Sequence, residues 1–412
     1  MKNSNKNAQK TKSSTMETQK CNEGALLRGR VHRLLDHLGV KPAARKFAGA
    51  LVGQEDVEPR FFVGMDLSDK KSRICFLHCD GSIVAEAEVA TTHEEMKEYF
   101  SAVPHSRIAL EVGTHSAWLS ELLKEIGHEM IVANPRKMES IHKNRRKNDR
   151  TDARTLARLA RADVALLHPI QHRGAETRQD LVLLRARDAL VSVRTNLINS
   201  MRGLVKSVGG RLPQCSTEAF PKRVADSIPA EVRDALKPML EQIQSLTEKI
   251  GGYDKRVSEM AQKKYPETAL LSQPNGVGDL TALAFRLTLE NPERFGKSRD
   301  VGPYLGLVPR QYDSGESSPQ LRITKTGDVM LRRLLVGSAH YMLGPFGKDS
   351  DLRRYGLKMA SRGGKNAKKR AVVAVARKLG VLMHRLWRNG EVYEPLYNAQ
   401  FAQESVEAVV NA

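Results

Sequence analysis

The chain has 412 residues, and its 67 Lys and Arg against 47 Asp and Glu leave a net charge of +20. That length accommodates two or three domains with cores of their own, and that charge favours a polyanionic partner, because cationic side chains displace counterions from phosphates. Aromatics at 5% argue against a base-stacking surface, and the lack of any apolar run near ~18 residues argues against a membrane span.

Residues 1–60 read as an N-terminal extension. The first 24 or so are polar, unlike a signal peptide, and are expected to be disordered; a short helical pattern (Leu26, Leu27, Val31, Leu34, Leu35, Leu38) follows. An α/β domain is predicted over 61–165. Residues 61–67, 72–79 and 82–89 read as strands, the last two joined by an Asp80-Gly81 turn. Thr92-x-x-Glu95 suits a capping box opening a helix to about Val103. A strand over 106–111, a helix from Trp118 to Ile126 stopped by Gly127, and a strand over 128–133 come next, before Asn134-Pro135 opens a basic helical segment. A three-strand meander followed by alternating helices and strands is the element order of an RNase H-like fold. Cys21, Cys75, Cys79 and Cys215 lack the paired spacing of a zinc site, which suits a reducing cytoplasm; Cys75 and Cys79 are expected to share one strand face.

Over 175–265 the period changes to steps of three and four. One seam runs Leu183, Ala186, Leu190, Val193, Leu197, Ser200, Leu204; a second runs Leu236, Met239, Ile243, Leu246, Ile250, Tyr253, Val257, Met260. Two such helices form either an internal antiparallel hairpin or a coiled coil between chains, and a coiled coil with self-association is the preferred reading. Gly251-Gly252 is expected to weaken the second helix at its centre. The segment 266–390 forms a third, mostly helical region, and 391–412 a tail. In the third region Gly276-Val277-Gly278 opens a helix as a helix-hairpin-helix-like element would. Residues 353–388 carry twelve Lys or Arg and no Asp or Glu, at helical spacing with apolar residues; an amphipathic helix with a wholly cationic face, Lys368, Lys369 and Arg370 on it, suits a nucleic-acid backbone.

Four acids have matching settings. Asp66 and Glu111 each end an apolar strand, while Asp149 and Asp152 are three apart in a basic stretch and share a face if helical. Carboxylates from separate elements are what a divalent metal such as Mg²⁺ needs when it works on a phosphodiester. Between Asn134 and Arg158 nine Lys or Arg stand against three acids; of these Arg145, Arg146, Lys147, Arg150 and Arg154 are candidate phosphate contacts. Ser314, followed by Gly315 on a polar loop, is a candidate nucleophile that needs activation by a base or metal.

From Phe61 to Trp387 the chain resembles the DEDD-type insertion-sequence transposases related to the Piv DNA invertase, whose N-terminal domain is RuvC-like. The resemblance is carried by Val63-Gly64-Met65-Asp66, Leu110-Glu111-Val112-Gly113, Lys147-Asn148-Asp149-Arg150-Thr151-Asp152-Ala153, Gly276-Val277-Gly278, Tyr304-Leu305-Gly306-Leu307-Val308-Pro309-Arg310, Ser314-Gly315, Ile323-Thr324-Lys325-Thr326-Gly327-Asp328 and Leu331-Arg332-Arg333-Leu334-Leu335. It implies a recombinase acting on double-stranded donor and target DNA. Asp66, Glu111, Asp149 and Asp152 would bind Mg²⁺, and Ser314 would form a phosphoserine link to DNA. Arg310, Lys325, Arg332 and Arg333 would contact nucleic acid, and a homo-oligomer, dimer or tetramer, would bring serine and metal site together. The resemblance also implies guidance by a structured RNA of the element. Glu316-Ser317-Ser318-Pro319-Gln320 departs from the family's basic, glycine-rich run, leaving Ser317 and Ser318 as alternative nucleophiles. A RuvC-like junction-resolving endonuclease, which needs the acids but no serine, is the alternative function.

Overall fold

A computed structural model describes residues 61–138, 149–319 and 321–398. They fall into two compact units that divide between His172 and Arg173.

The first unit is built on a five-stranded sheet of β1 (Phe61–Asp66), β2 (Lys71–Leu77), β3 (Ile83–Ala90), β4 (Ser106–Glu111) and β5 (Glu129–Ala133). Its spatial order is β3-β2-β1-β4-β5. The meander β1-β2-β3 is antiparallel, whereas β4 and β5 add in parallel beside β1. Both faces of the sheet are covered, so β1 reads as an unbroken apolar run rather than an alternation. Phe61, Val63 and Met65 face a core with Met96 and Phe100 of α1 (His93–Ser101) and Leu119 and Leu123 of α2 (Ser116–Glu125). Phe62, between them, faces Ala153 and Ala157 of α3 (Asp149–Ala162).

The local signals act as read. Thr92 caps α1 by accepting the Glu95 N–H at 3.3 Å, and Gly127 follows the end of α2 at φ 100. Cys75 and Cys79 do not share a face. β2 ends at Leu77, so Cys75 is buried against α3, its thiol pushed up to about 11 by burial, while Cys79 lies exposed past the strand end.

The second unit is helical. Its long helices α4 (Ala175–Ser207) and α5 (Ala230–Lys263) pack antiparallel on one another: Leu181 and Leu184 share a core with Val257 and Ala261, and Ile198 and Met201 share another with Leu236 and Ile243. The internal hairpin is therefore the arrangement adopted within the chain. The α5 seam is buried or half-buried throughout. The α4 seam is displaced by one residue, through Leu184, Arg187, Val191, Arg194, Ile198, Met201 and Val205, which leaves Val193 and Leu204 47% and 49% exposed. Apolar doublets (Leu183-Leu184, Leu197-Ile198, Leu204-Val205) offer two adjacent stripes, and α5 takes the second. Gly251 and Gly252 do not interrupt α5, whose hairpin packing carries it through both.

The rest of this unit packs α6 (Asp279–Leu289), α7 (Val329–Leu343), α8 (Asp351–Ala360) and α9 (Ala367–Asn389) around one core. Before α6, the short helix Thr268–Leu271 leads into a turn closed by the Val277 N–H on the Pro274 carbonyl at 3.0 Å. Gly276 in that turn lies against Ser338 and Tyr341 of α7, so one side of the turn is covered.

Candidate active site

Strand pairing decides where the first two acids meet. The parallel register of β1 and β4 sets Met65 beside Leu110, so Asp66 and Glu111 follow as neighbours at the ends of adjacent strands. By alternation Asp66 shares its face with Phe62, and Glu111 shares its face with Ala109; both faces lie under α3. Helix α3 runs antiparallel to these strands. Its Ala153 sits over Gly64, and the Arg107 guanidinium, at the start of β4, reaches the Ala160 carbonyl at 3.5 Å. Its first turn, with Asp149 and Asp152, therefore lies at the strand ends that carry Asp66 and Glu111.

Gly64 makes this approach possible. A Cβ there would collide with the Ala153 carbonyl and the Ala157 amide. Asp152 is buried at 7% exposure and Asp149 is exposed, on the stripe that continues through Ala153, Leu156 and Ala160. Asp66, Glu111 and Asp152 each have an interaction partner. Among the described residues no three His, Cys, Asp or Glu side chains converge to hold an ion. The donor set, oxygen only and from three elements, has the chemistry of a hard divalent cation, but its side chains are not gathered into one coordination shell.

Two of the expected phosphate contacts have a protein partner. Arg150 and Arg154 of α3 both bond Glu86 of β3, Arg154 Nε at 2.5 Å and Arg150 Nε at 2.6 Å. Those bonds, Arg154's first, hold the Glu86 carboxyl down at about 2. Glu86 escaped sequence reasoning because nothing local marks it; its partners are 64 and 68 residues away. Arg145, Arg146 and Lys147 lie outside the described residues.

Ser314 lies at the tip of an arm in the second unit. Residues 308–310 pair with 322–324 through Arg310 N–H to Arg322 O and Thr324 N–H to Val308 O, both 2.9 Å. The tip is a two-residue turn in which Ser314 and Ser317 exchange backbone bonds at 3.0 and 3.1 Å, with Gly315 at φ 57 as the first central residue. Ser314, Ser317 and Ser318 are all exposed. The base of the arm is stiff: a Cβ on Gly327 would collide with the Tyr304 carbonyl, and the Arg332 guanidinium donates to Leu305 O at 3.1 Å and Gly327 O at 3.2 Å. Arg332, expected on nucleic acid, is 9% exposed, and its donors go to backbone at both ends of the arm. Arg333 pairs with Asp188, while Arg310 and Lys325 are exposed beside the arm.

The basic C-terminal stretch is not one cationic face. Arg354 pairs with Asp349 at 2.6 Å, Arg385 with Glu391 at 2.8 Å and Arg388 with Glu293 at 3.3 Å, while Arg353 donates to the Gly344 carbonyl at 2.7 Å. Lys358, Arg362, Lys365, Lys368, Lys369 and Arg370 are exposed around the turn from α8 into α9. That turn is the more concentrated cationic surface.

Comparison with known proteins gives this arrangement its family. Residues 63–209 match the DEDD transposase family of IS110 type, and residues 268–355 match the transposase IS116/IS110/IS902 family, together more than half of the chain. The chain belongs to the IS110/IS116 transposase family. Over 342 residues it is 28% identical to the transposase for insertion sequence element IS1111A of Coxiella burnetii, covering 80% of this chain and 90% of the relative. It is 29% identical over 253 residues to the transposase for insertion sequence element IS1328 of Yersinia enterocolitica, covering 60% of this chain and 73% of the relative. The family match over residues 63–209 contains all four acids, and the one over 268–355 contains the serine arm and its base. This transposase is thus an enzyme of DNA cleavage and rejoining. No helix among its described residues is long and apolar enough to cross a membrane.

Proposed function

We propose that the protein mobilises an insertion sequence by cutting and rejoining double-stranded DNA through a covalent phosphoserine intermediate, with Mg²⁺ held by Asp66, Glu111, Asp149 and Asp152. The observation that carries the reading is the antiparallel seating of α3 on β1 and β4, which brings the first turn of the helix to the strand ends that carry Asp66 and Glu111. This is the end of the sheet at which the RuvC-like reading expects its carboxylates.

Ser314 Oγ attacks the phosphorus, the sugar oxygen leaves, and the bond between serine and phosphate conserves the ester for rejoining. A bound Mg²⁺ would stabilise charge on the phosphoryl oxygens and the leaving oxygen. A carboxylate oxygen of the set accepts the serine proton, and the cationic Arg310 and Lys325 beside the arm hold the phosphate in line. Ser314 is preferred to Ser317 and Ser318 by its motif and by its place before the glycine of the turn. The stiff arm base limits how far the hydroxyl wanders. Arg310, Lys325, Lys368, Lys369 and Arg370 are assigned to the DNA backbone, and the exposed apolar residues Val182, Val193 and Leu204 of α4 to self-association. Guidance by a structured RNA is compatible with the charge of +20.

Mg²⁺-dependent cleavage of an end-labelled duplex carrying the element's end tests the metal half. Replacing Asp66 or Asp152 by Asn is expected to slow cleavage roughly a thousandfold, the scale of several kcal/mol of lost transition-state stabilisation. Cleavage at the wild-type rate by either variant would refute the metal assignment.

A further inference from the structure

A cavity of about 1010 Å³ opens in the second unit between α9, the turn at Ser298–Pro303 and the strap 391–398. Its wall includes Pro303 and Val308, and the Val308 carbonyl forms the first rung of the serine arm. The volume is at the upper end of the range for small-molecule sites and too small for a duplex.

The polar groups on its wall divide into two sets. Lys378 lies 3.9 Å from the Tyr355 ring centroid, Arg385 pairs with Glu391, and Asp351 accepts both amide nitrogens of Asn398 at 2.8 and 2.9 Å. Arg299, Arg377 and Glu394, by contrast, make no ion pair among the described residues; Glu394 is exposed on the strap, and the methylene stem of Arg377 is held against Gly302. Two uncommitted guanidiniums on one concave wall are suited to phosphates.

Ser298 supplies a fixed acceptor. His384 is fully buried; its Nε2 lies 2.9 Å from the Pro292 carbonyl and its Nδ1 2.9 Å from Ser298 Oγ. A carbonyl only accepts, so Nε2 carries the hydrogen, Nδ1 accepts from the Ser298 hydroxyl, and the remaining lone pairs of Ser298 Oγ are left for the cavity. Tyr393 and Tyr397 add aromatic rings from the strap. Cationic groups for phosphate, a hydrogen-bond acceptor and rings in one cleft are the chemistry of a nucleotide with its base unstacked.

We propose that this cavity receives one or two unpaired DNA nucleotides next to the cleavage point, with Arg299 and Arg377 on their phosphates and the Tyr393 ring against a base. The identity of the strand as DNA rests on the reading of the adjoining arm as the carrier of the nucleophile. Base contact here is local and differs from a stacking platform, which the low aromatic content still excludes.

The test uses full-length Ser314→Ala protein and a short single strand of DNA bearing one 5-iodouracil. Affinity is read by fluorescence anisotropy and contacts by photocrosslinking with peptide mapping. Crosslinks to the strap, at Tyr393 above all, are expected, with binding about tenfold weaker in Arg377→Glu and in Arg299→Glu at unchanged melting temperature. Arg299 sits on an exposed turn, so its variant keeps the test alive if Arg377→Glu does not fold. Crosslinks confined to the turn between α8 and α9, equal affinity in both folded variants, or preference for duplex or for RNA of the same sequence would overturn the proposal. Because Ser314→Ala has no nucleophile to lose, failure of this pocket and failure of the nucleophile assignment are read separately.

Discussion

Glu86 anchors α3 at its open end, since Arg150 and Arg154 both reach it from the turn that carries Asp149 and Asp152. Its depressed carboxyl makes this contact pH-dependent with a definite sign. A folded value of about 2 against an ordinary 4.5 contributes stability that is present above pH 4.5 and lost as the pH falls through about 2. Arg150 is 63% exposed, so the contribution is on the order of 1 kcal/mol after screening. Urea unfolding followed by Trp118 in a Trp387→Phe background should show Glu86→Gln less stable than wild type near neutrality, with the difference closing between pH 4.5 and 2. A constant difference across that window would dissociate the carboxylate from α3 stability. The strand-end positions of Asp66 and Glu111 were legible because the end of an apolar strand is a local signal. Glu86 and Arg332 were not, because an ion pair across 64 residues and a guanidinium bound to backbone carbonyls leave no mark in sequence.

At the scale of elements, periodicity succeeds where one stripe is apolar and slips where two compete. The α5 seam was readable residue by residue; the α4 seam slipped by one, because its doublets make adjacent stripes equally apolar. The slip matters physically, since it buries Arg194 beside Thr217, Glu218 and Thr247 and leaves Val193 and Leu204 outside. Gly251 and Gly252 carry a propensity penalty that does not break α5, because packing on α4 carries the helix through both. Both are exposed, with nothing within 4 Å of an added Cβ. Gly251→Ala and Gly252→Ala should therefore each stabilise the second unit by about 0.5–1 kcal/mol in denaturant unfolding. A loss of stability in either would mean that α5 needs the backbone freedom at that point. The strand order β3-β2-β1-β4-β5, which fixes the neighbours of Asp66, was beyond sequence reading because pairing is a long-range choice.

At the scale of the molecule, the first family match runs through α4 to residue 209 and the second begins at residue 268, beyond α5, and the two halves of the proposed chemistry fall one in each match. Asp66, Glu111, Asp149 and Asp152 belong to the first unit and Ser314 to the second. Neither half is sufficient alone: the carboxylates without a serine describe a hydrolytic nuclease, and the serine without carboxylates has no means of activation. The measurement that separates these readings is denaturing-gel trapping of the protein on end-labelled, cleaved DNA in Mg²⁺. A covalent protein–DNA adduct is predicted, abolished by Ser314→Ala and by Asp66→Asn and retained in Ser317→Ala and Ser318→Ala. Cleavage that requires Asp66 yet leaves no adduct, or an adduct that survives Ser314→Ala, would contradict it.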